Sequence, residues 1–171
     1  DRMADYEAGV RRFAPLASYL TINISSPNTP GLRDMQAREA LAELLVRVMV
    51  ARDLYAPAVP KTPIFLKIAP DLGEADLQDV AAEVLAKKVD GVIVSNTTIG
   101  RGTLKSSNAK ESGGLSGVPL FARSTAVLAR MRKLLGPDVA IIGVGGVDSA
   151  ETALEKIQAG ADLVEPYTGS V

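Results

Sequence analysis

Asn23, Ser26 and Asn28 lie close together in the stretch Asn23-Ile24-Ser25-Ser26-Pro27-Asn28, and they offer two carboxamides and a hydroxyl to a small ligand. The run before them, residues 19–25, alternates cleanly. Leu20, Ile22 and Ile24 fall on one side, and Thr21, Asn23 and Ser25 on the other, the period of a strand. Pro27 forbids a ladder or a helix just beyond. A rigid strand that ends in amides and a hydroxyl suits the holding of a polar heterocycle by hydrogen bonds. Taken alone, the same stretch also reads as an Asx/Ser-Pro turn closing a strand, so the rest of the chain has to decide.

Lys67 sits in a second alternating run, opposite Ile64, Leu66 and Ile68 and on the side of Phe65. An ammonium inside an apolar strand is costly unless something answers it. It has two readings: a Schiff-base lysine for a carbonyl substrate, or a fixed cation beside an electron-accepting ring. Asn96-Thr97-Thr98 follows the run that ends at Ser95 and again puts amides and hydroxyls at a strand's C-terminal end. Gly113-Gly114-Leu115-Ser116-Gly117 reads as a lid hinge or a close backbone approach to ligand. Farther on, Gly145 and Gly146 leave backbone N–H groups open just before a helix, whose positive end faces the same region. Tyr167-Thr168-Gly169 follows the next strand. Paired loops of this kind after two late strands are where barrel enzymes hold a phosphate. A plain glycine turn is the competing reading. Clusters such as Arg130, Arg132 and Lys133 read as solvated helix faces.

The elements that position these residues follow from periodicity and punctuation. Met3, Tyr6, Val10 and Phe13 mark a helix stopped by Pro15, and Asp34 is placed to cap a long helix striped by Leu41, Leu44, Leu45, Val48 and Met49. A Pro-rich link (Pro57, Pro60, Pro63) leads to the strand 64–68. Leu77, Val80, Ala81, Val84 and Leu85 mark the next helix, and residues 91–95 the next strand. Residues 96–119, rich in Gly, Ser and Thr, read as a functional loop or lid. The helix 120–135 stops at Gly136-Pro137, and the strand 139–143 runs into the glycines. The helix 149–159, with Asp148 as cap and Glu151 three residues on, ends at Gly160, and a last strand covers 162–165. Strict alternation of this kind predicts a parallel α/β sheet. Asn23, Lys67 and Ser95, each on an inner face near a strand's C-terminal end, favour a (β/α)₈ TIM barrel over a doubly wound sheet. Only five strands are legible, so the barrel is incomplete.

Composition narrows the chemistry. The 171 residues carry a net charge of −1 and are 47% hydrophobic, which suits one soluble domain with a real core and offers no basic field for nucleic acid. No apolar run approaches the roughly 18 residues that would mark a membrane span. Cysteine and histidine are both absent. That removes disulfides, a thiolate nucleophile and Cys-built metal sites, and no metal site is expected. Proton transfer is left to Ser, Thr, Lys, Tyr, a carboxylate or water.

The motifs INISSPNTPGLR around Ser26, FLKIAPDL around Lys67, IVSNTT around Asn96, GGLSG before Pro119, and IIGVGGV leading into YTG occur in an order and spacing that resemble the dihydroorotate dehydrogenases, in their class 2, quinone-linked form. The resemblance implies an FMN-binding (β/α)₈ barrel that oxidises (S)-dihydroorotate to orotate in pyrimidine synthesis and passes electrons to ubiquinone or menaquinone. It implies that Ser26 takes the C5 proton while hydride moves from C6 to the flavin. It implies that Asn23, Asn28, Asn96 and Thr97 bind substrate, with Asn23 also near the flavin, and that Lys67 lies beside the flavin pyrimidine ring, which favours the electrostatic role. Ser95 and Gly117 match flavin contacts, and Gly145, Gly146, Tyr167 and Thr168 match the FMN phosphate loops. Glu165-Pro166 departs from the family, which usually has a neutral polar and an aliphatic residue there. By the same resemblance the chain covers about strands 4 to 8. The early strands and an N-terminal module that meets membrane and quinone would lie elsewhere, at the cytoplasmic face of a bacterial inner membrane or at the mitochondrial inner membrane. Competing readings are a half-barrel that binds a phosphate ester or a partner chain without catalysis, and a related FMN barrel acting on another pyrimidine; by itself the partial barrel is expected to self-associate.

Overall fold

The computed structural model describes residues 1–171 apart from Val59 in the Pro-rich link, Thr103 in the long loop, and Val171. Helices and strands alternate: α1 (Arg2–Phe13), β1 (Leu20–Asn23), α2 (Arg38–Tyr55), β2 (Ile64–Ile68), α3 (Glu74–Ala86), β3 (Gly91–Val94), α4 (Phe121–Leu135), β4 (Ala140–Val144), α5 (Ala150–Gln158) and β5 (Leu163–Glu165). Every pairing between these strands is parallel, and the strand order is β1-β2-β3-β4-β5. A doubly wound sheet reverses its order at a switch point. Here each strand pairs with the next in the chain and the winding never reverses, so the sheet is an arc of a (β/α)₈ barrel, as the inner-face residues led us to expect.

The alternation read from the sequence decides which face meets the helices. Ile64, Leu66 and Ile68 are fully buried and share one core with Val92, Val94 and Ile141. Onto them pack Leu41, Leu44, Leu45 and Val48 of α2, Leu77, Val80 and Val84 of α3, and Leu128 and Met131 of α4. The other face is the concave one. Its register aligns Asn23, Lys67, Ile93, Ile142 and Leu163 in one row, with Val144 and Glu165 paired above them. Glu165 therefore points to the same side as Lys67.

Two ion pairs of the same design recur at the N-terminal ends of the strands. Asp90, just before β3, accepts the Ile64 N–H and the Arg52 guanidinium, both at 2.8 Å. Asp162, just before β5, accepts the Ile141 N–H at 2.7 Å and Arg132 at 2.6 Å. In both cases an aspartate accepts an N–H at the start of the neighbouring strand, the first of β2 and the second of β4, and is held by an arginine from the last turn of the helix before that strand.

Several boundaries differ from the periodicity reading. β1 and β5 are shorter than predicted, since each is an edge strand with a ladder on one side only. Asp34 lies in a 3₁₀ turn (Arg33–Gln36), and α2 starts after Ala37 without a side-chain cap. The cap of α5 is Ser149, whose Oγ accepts the Thr152 N–H at 3.2 Å; Asp148 instead accepts from Thr152 Oγ1. Thr152, not Glu151, closes that box. Phe13 is 56% exposed although Val10 on the same stripe is buried.

Candidate functional site

The C-terminal ends of β1, β2 and β3 bring their polar residues into one network. Asn23 Oδ1 accepts from the Ser25 N–H at 3.2 Å and from Asn96 Nδ2 at 3.2 Å. Ser25 Oγ lies 3.0 Å from the same oxygen, donates to the Lys67 carbonyl at 2.8 Å, and accepts from Asn96 Nδ2 at 3.0 Å. The oxygen end of Asn23 is thus saturated, and its Nδ2 is left for a ligand. Asn96 spends its own oxygen on the Thr97 N–H at 2.8 Å. Behind β1, the Tyr6 hydroxyl of α1 donates to the Asn23 carbonyl at 2.5 Å; burial raises its pKa and the Arg2 charge opposes that. Lys67 stands beside Asn23 in the strand register, half-buried on the concave face. Ser26 is half-buried, and its Oγ accepts the Asn28 N–H at 3.3 Å; Asn28 itself is exposed.

The loops above are fixed by a hub that motif reading did not single out. Asp71, after β2, accepts Thr98 Oγ1 at 2.5 Å, the Ile99 N–H at 3.1 Å and Arg33 at 2.8 Å, with Arg123 of α4 at 3.4 Å. Arg33 also donates to the Ser25 carbonyl at 3.1 Å and the Thr97 carbonyl at 2.9 Å. Burial pushes the Asp71 carboxyl up, but the bonds from Thr98, Ile99 and Arg33 and the Arg123 charge outweigh it and hold it below the usual carboxylate range. The segments after β1, β2 and β3 are therefore clamped at one carboxylate. The only sequence signal was an aspartate and an arginine inside the FLKIAPDL and INISSPNTPGLR motifs.

The long loop folds back over this network. Thr98 and Leu115 form an antiparallel bridge, and Arg101 holds the Glu111 and Gly113 carbonyls at 2.8 and 2.6 Å. Gly114 packs so tightly that a Cβ there would sit 1.8 Å from Thr97 Oγ1 and 3.0 Å from Pro27. The close approach is to the Thr97 and Pro27 side chains, so Gly114 seats the long loop on the segments after β1 and β3. Its far end reaches the second loop pair: Ser116 Oγ lies 2.7 Å from Thr168 Oγ1, and Gly117 packs on Thr168.

Gly146 adopts φ +76°, and a Cβ on it would meet the backbone of Phe121, the first residue of α4, at 2.7 Å. Gly145 donates no side chain either, and its carbonyl accepts from Ser124 Oγ at 3.0 Å. Gly169 packs on the Val147 carbonyl, so the two loops are in direct contact. The two glycine loops meet beside the Thr168 hydroxyl and just before α5, a layout that would suit a phosphate ester. Tyr167 is exposed. Ser95 is buried; its N–H donates to the Val144 carbonyl at 3.0 Å, which places it between the amide network and the cradle. The candidate site residues read from the sequence thus lie towards the C-terminal end of the sheet, in two adjoining groups. Among the described residues no cluster of side chains is suited to a metal ion.

The family model for dihydroorotate dehydrogenase matches residues 1–171. The chain belongs to the dihydroorotate dehydrogenase family. It is 71% identical to the dihydroorotate dehydrogenase (quinone) of Mesorhizobium japonicum, over 100% of this chain and 47% of that protein, and 65% identical to that of Brucella ovis, over 100% and 48%. Among solved structures, the dihydroorotate dehydrogenase of Eimeria tenella in complex with ferulenol superposes with a TM-score of 0.92 at 38% identity, covering 99% of this chain and 49% of that one. The ligand-free form gives 0.93 at the same identity, covering 99% and 51%. The chain thus spans about half the length of the dihydroorotate dehydrogenases it matches.

Proposed function

We propose that this chain supplies the catalytic and phosphate-binding arc of a quinone-linked dihydroorotate dehydrogenase, which oxidises (S)-dihydroorotate to orotate in pyrimidine synthesis. The observation that carries the reading is the adjacency of the two groups. An amide-rich pocket around Asn23, Asn96 and Ser26 adjoins a cradle at Gly145–Gly146 and Tyr167–Thr168, linked by Ser95 and the Ser116–Thr168 contact. FMN fits this layout with its phosphate in the cradle, Gly117 and Ser95 along its length, and Lys67 beside its ring. When bound, it supplies the acceptor for the hydride from substrate C6.

The chain's own residues do the rest. Asn23 Nδ2 faces the ligand, while Asn28, Asn96 and Thr97 hold the pyrimidine amides and the carboxylate; Asn96 exchanges its present partners for those of the ligand. Ser26 Oγ takes the proton from C5. Its present partner is the Asn28 N–H, a donor that stabilises negative charge building on the oxygen. A serine hydroxyl is a poor base, so its own proton leaves through a hydrogen-bonded relay as the C5 proton arrives. Lys67 stabilises charge that develops on the neighbouring ring.

The remaining elements belong to the same proposal. The chain forms a single partial-barrel domain, completed by earlier strands, and its contact with a membrane and with ubiquinone or menaquinone runs through an N-terminal module. Among the described residues no helix is long and apolar enough to cross a membrane. Separated from the other strands, the arc associates with itself. The test is anaerobic mixing of the complete flavoprotein with dihydroorotate: bleaching of the flavin and release of orotate support the reading. A protein that purifies without flavin, takes up none when it is added and ignores dihydroorotate overturns it in favour of a non-catalytic phosphate-ester site.

A further inference from the structure

Lys156, on the inner side of α5, has no part in the site described so far, and its surroundings are unusual for an ammonium. The residue is fully buried. Its Nζ donates one hydrogen bond, to Ser124 Oγ of α4 at 2.5 Å, and lies 5.0 Å from the centre of the Phe121 ring. Its Cβ packs near Gly143 of β4, alongside Leu128 of α4. The charged groups on the surrounding elements are spent elsewhere or turned outward. Arg132 pairs with Asp162, Arg123 with Asp71, and Asp148 accepts from Thr152. Glu151 and Glu155 are exposed on α5, and Glu165 lies on the concave face of β5. Among the described residues no carboxylate pairs with Lys156, and burial alone lowers its pKa to about 8. An ammonium has three protons to place, and a buried one with a single acceptor is poorly compensated.

The bond chain from this cation leads into the glycine turn. Ser124 Oγ, which accepts from Lys156, lies 3.0 Å from both the Phe121 and the Gly145 carbonyls, which share its one proton, and Phe121, whose ring faces the ammonium, packs on Gly146. We infer that Lys156 is the positioning cation of the anion cradle: it fixes the Gly145–Gly146 turn through Ser124, and its buried charge is answered by the dianionic phosphate ester seated on that turn. The inference rests on reading the turn, with Tyr167 and Thr168, as the phosphate site of a flavin nucleotide.

Linkage gives the inference a signature that a purely structural lysine lacks. A dianion nearby raises the lysine's pKa, so bound ester and bound proton favour each other reciprocally. A group whose pKa is raised on binding helps fully below its free value of about 8, and the help is lost as pH rises above it. The ester itself does not titrate there, since its second pKa is about 6. Affinity for FMN should therefore fall roughly five- to tenfold between pH 7 and pH 9. Riboflavin, which lacks the phosphate, should show no such fall.

The experiment is fluorescence titration of FMN and of riboflavin into the apoprotein of the complete enzyme across that range, for the unaltered protein and for Lys156→Met and Ser124→Ala. Lys156→Met should bind FMN about tenfold more weakly at pH 7, with the pH slope gone and riboflavin affinity unchanged. Ser124→Ala should weaken FMN binding and keep the slope, because the charge remains. If Lys156→Met does not fold, the comparison of FMN with riboflavin on the unaltered protein decides alone. Flat FMN affinity, an equal slope for riboflavin, or a slope that survives in Lys156→Met overturns the role of Lys156 and leaves the phosphate reading standing. Failure of the unaltered protein to bind FMN at all overturns both.

Discussion

Ser26 and Lys156 sit at opposite extremes of what single residues disclose. Ser26 stood out because a hydroxyl follows a strand's last turn-forming residues, with Pro27 and Asn28 beside it. Its assignment predicts that Ser26→Ala in the complete enzyme keeps its flavin but slows flavin reduction by dihydroorotate about 10²–10⁴-fold, the usual worth of a proton acceptor. Stopped-flow bleaching at an unaltered rate would remove Ser26 from the mechanism. Lys156 could not be found the same way: between Glu155 and Gln158 it reads as a solvated helix face, and only the packing of α4 against α5 buries it. Its lowered pKa carries a second consequence. A lysine titrating near 8 in the fold and near 10.4 unfolded costs stability while it is charged, and the cost fades as pH rises through that window. The difference corresponds to about 3 kcal/mol at neutral pH as an upper figure. Lys156→Met should therefore raise the melting temperature of the apoprotein at pH 7, with the gain shrinking towards pH 10. A lower melting temperature would mean that the ammonium is better solvated than its contacts indicate.

At the scale of elements, periodicity predicted the five α-helices and five strands but none of the short 3₁₀ turns, because an α-helix or strand buries one face and that burial is written in the spacing of Ile, Leu and Val. What it could not predict were the ties between elements, which depend on residues far apart in sequence. The caps of α2 and α5 were misplaced for local reasons: Asp34 is taken up in a 3₁₀ turn before α2, which starts without a side-chain cap, and at α5 Ser149 and Thr152 close the box in place of Asp148 and Glu151. The clamp at Asp71 joins the segments after β1, β2 and β3, and Asp71→Asn should loosen all three, raising the KM for dihydroorotate about tenfold with flavin affinity little changed, as loss of a charge-assisted bond would. Because the Asp71 carboxyl is held below its ordinary value, the clamp contributes at any pH above the unfolded carboxylate range near 4 and is lost only as pH falls through its lowered folded value. At the opposite end of the sheet, Asp90→Ala leaves the buried Arg52 guanidinium and the Ile64 N–H without their shared acceptor. That should lower stability by about 2–3 kcal/mol in denaturant titrations, while the KM stays put. A change in KM without a change in stability would mean that this end of the sheet reaches the site.

At the scale of the whole molecule the sheet is open at both ends. Unbroken strand order makes the sheet an arc, and an arc has two edges. Among the described residues β1 pairs only with β2 and β5 only with β4, so one side of each carries backbone groups without a ladder. Beside β1 an apolar cleft of about 290 Å³ opens between Tyr6, Val10 and Phe13 of α1 and Leu20 and Ile22 of the strand. On the concave face Thr21 and Leu163 are exposed, although that face fills the interior of a closed barrel. Open edges and uncovered apolar surface both drive association. Residues 1–171 expressed by themselves should therefore run as oligomers and fail to turn over dihydroorotate, since the pocket lacks a wall, while the intact cradle retains weak affinity for FMN. Co-expression with the N-terminal half of the Mesorhizobium japonicum relative should yield a stoichiometric complex that holds flavin and is reduced by dihydroorotate. Sedimentation velocity and anaerobic reduction on the same samples separate the outcomes: a monomer of residues 1–171 that reduces a quinone at the expense of dihydroorotate would show that this arc is sufficient and that the edges are sealed in some other way.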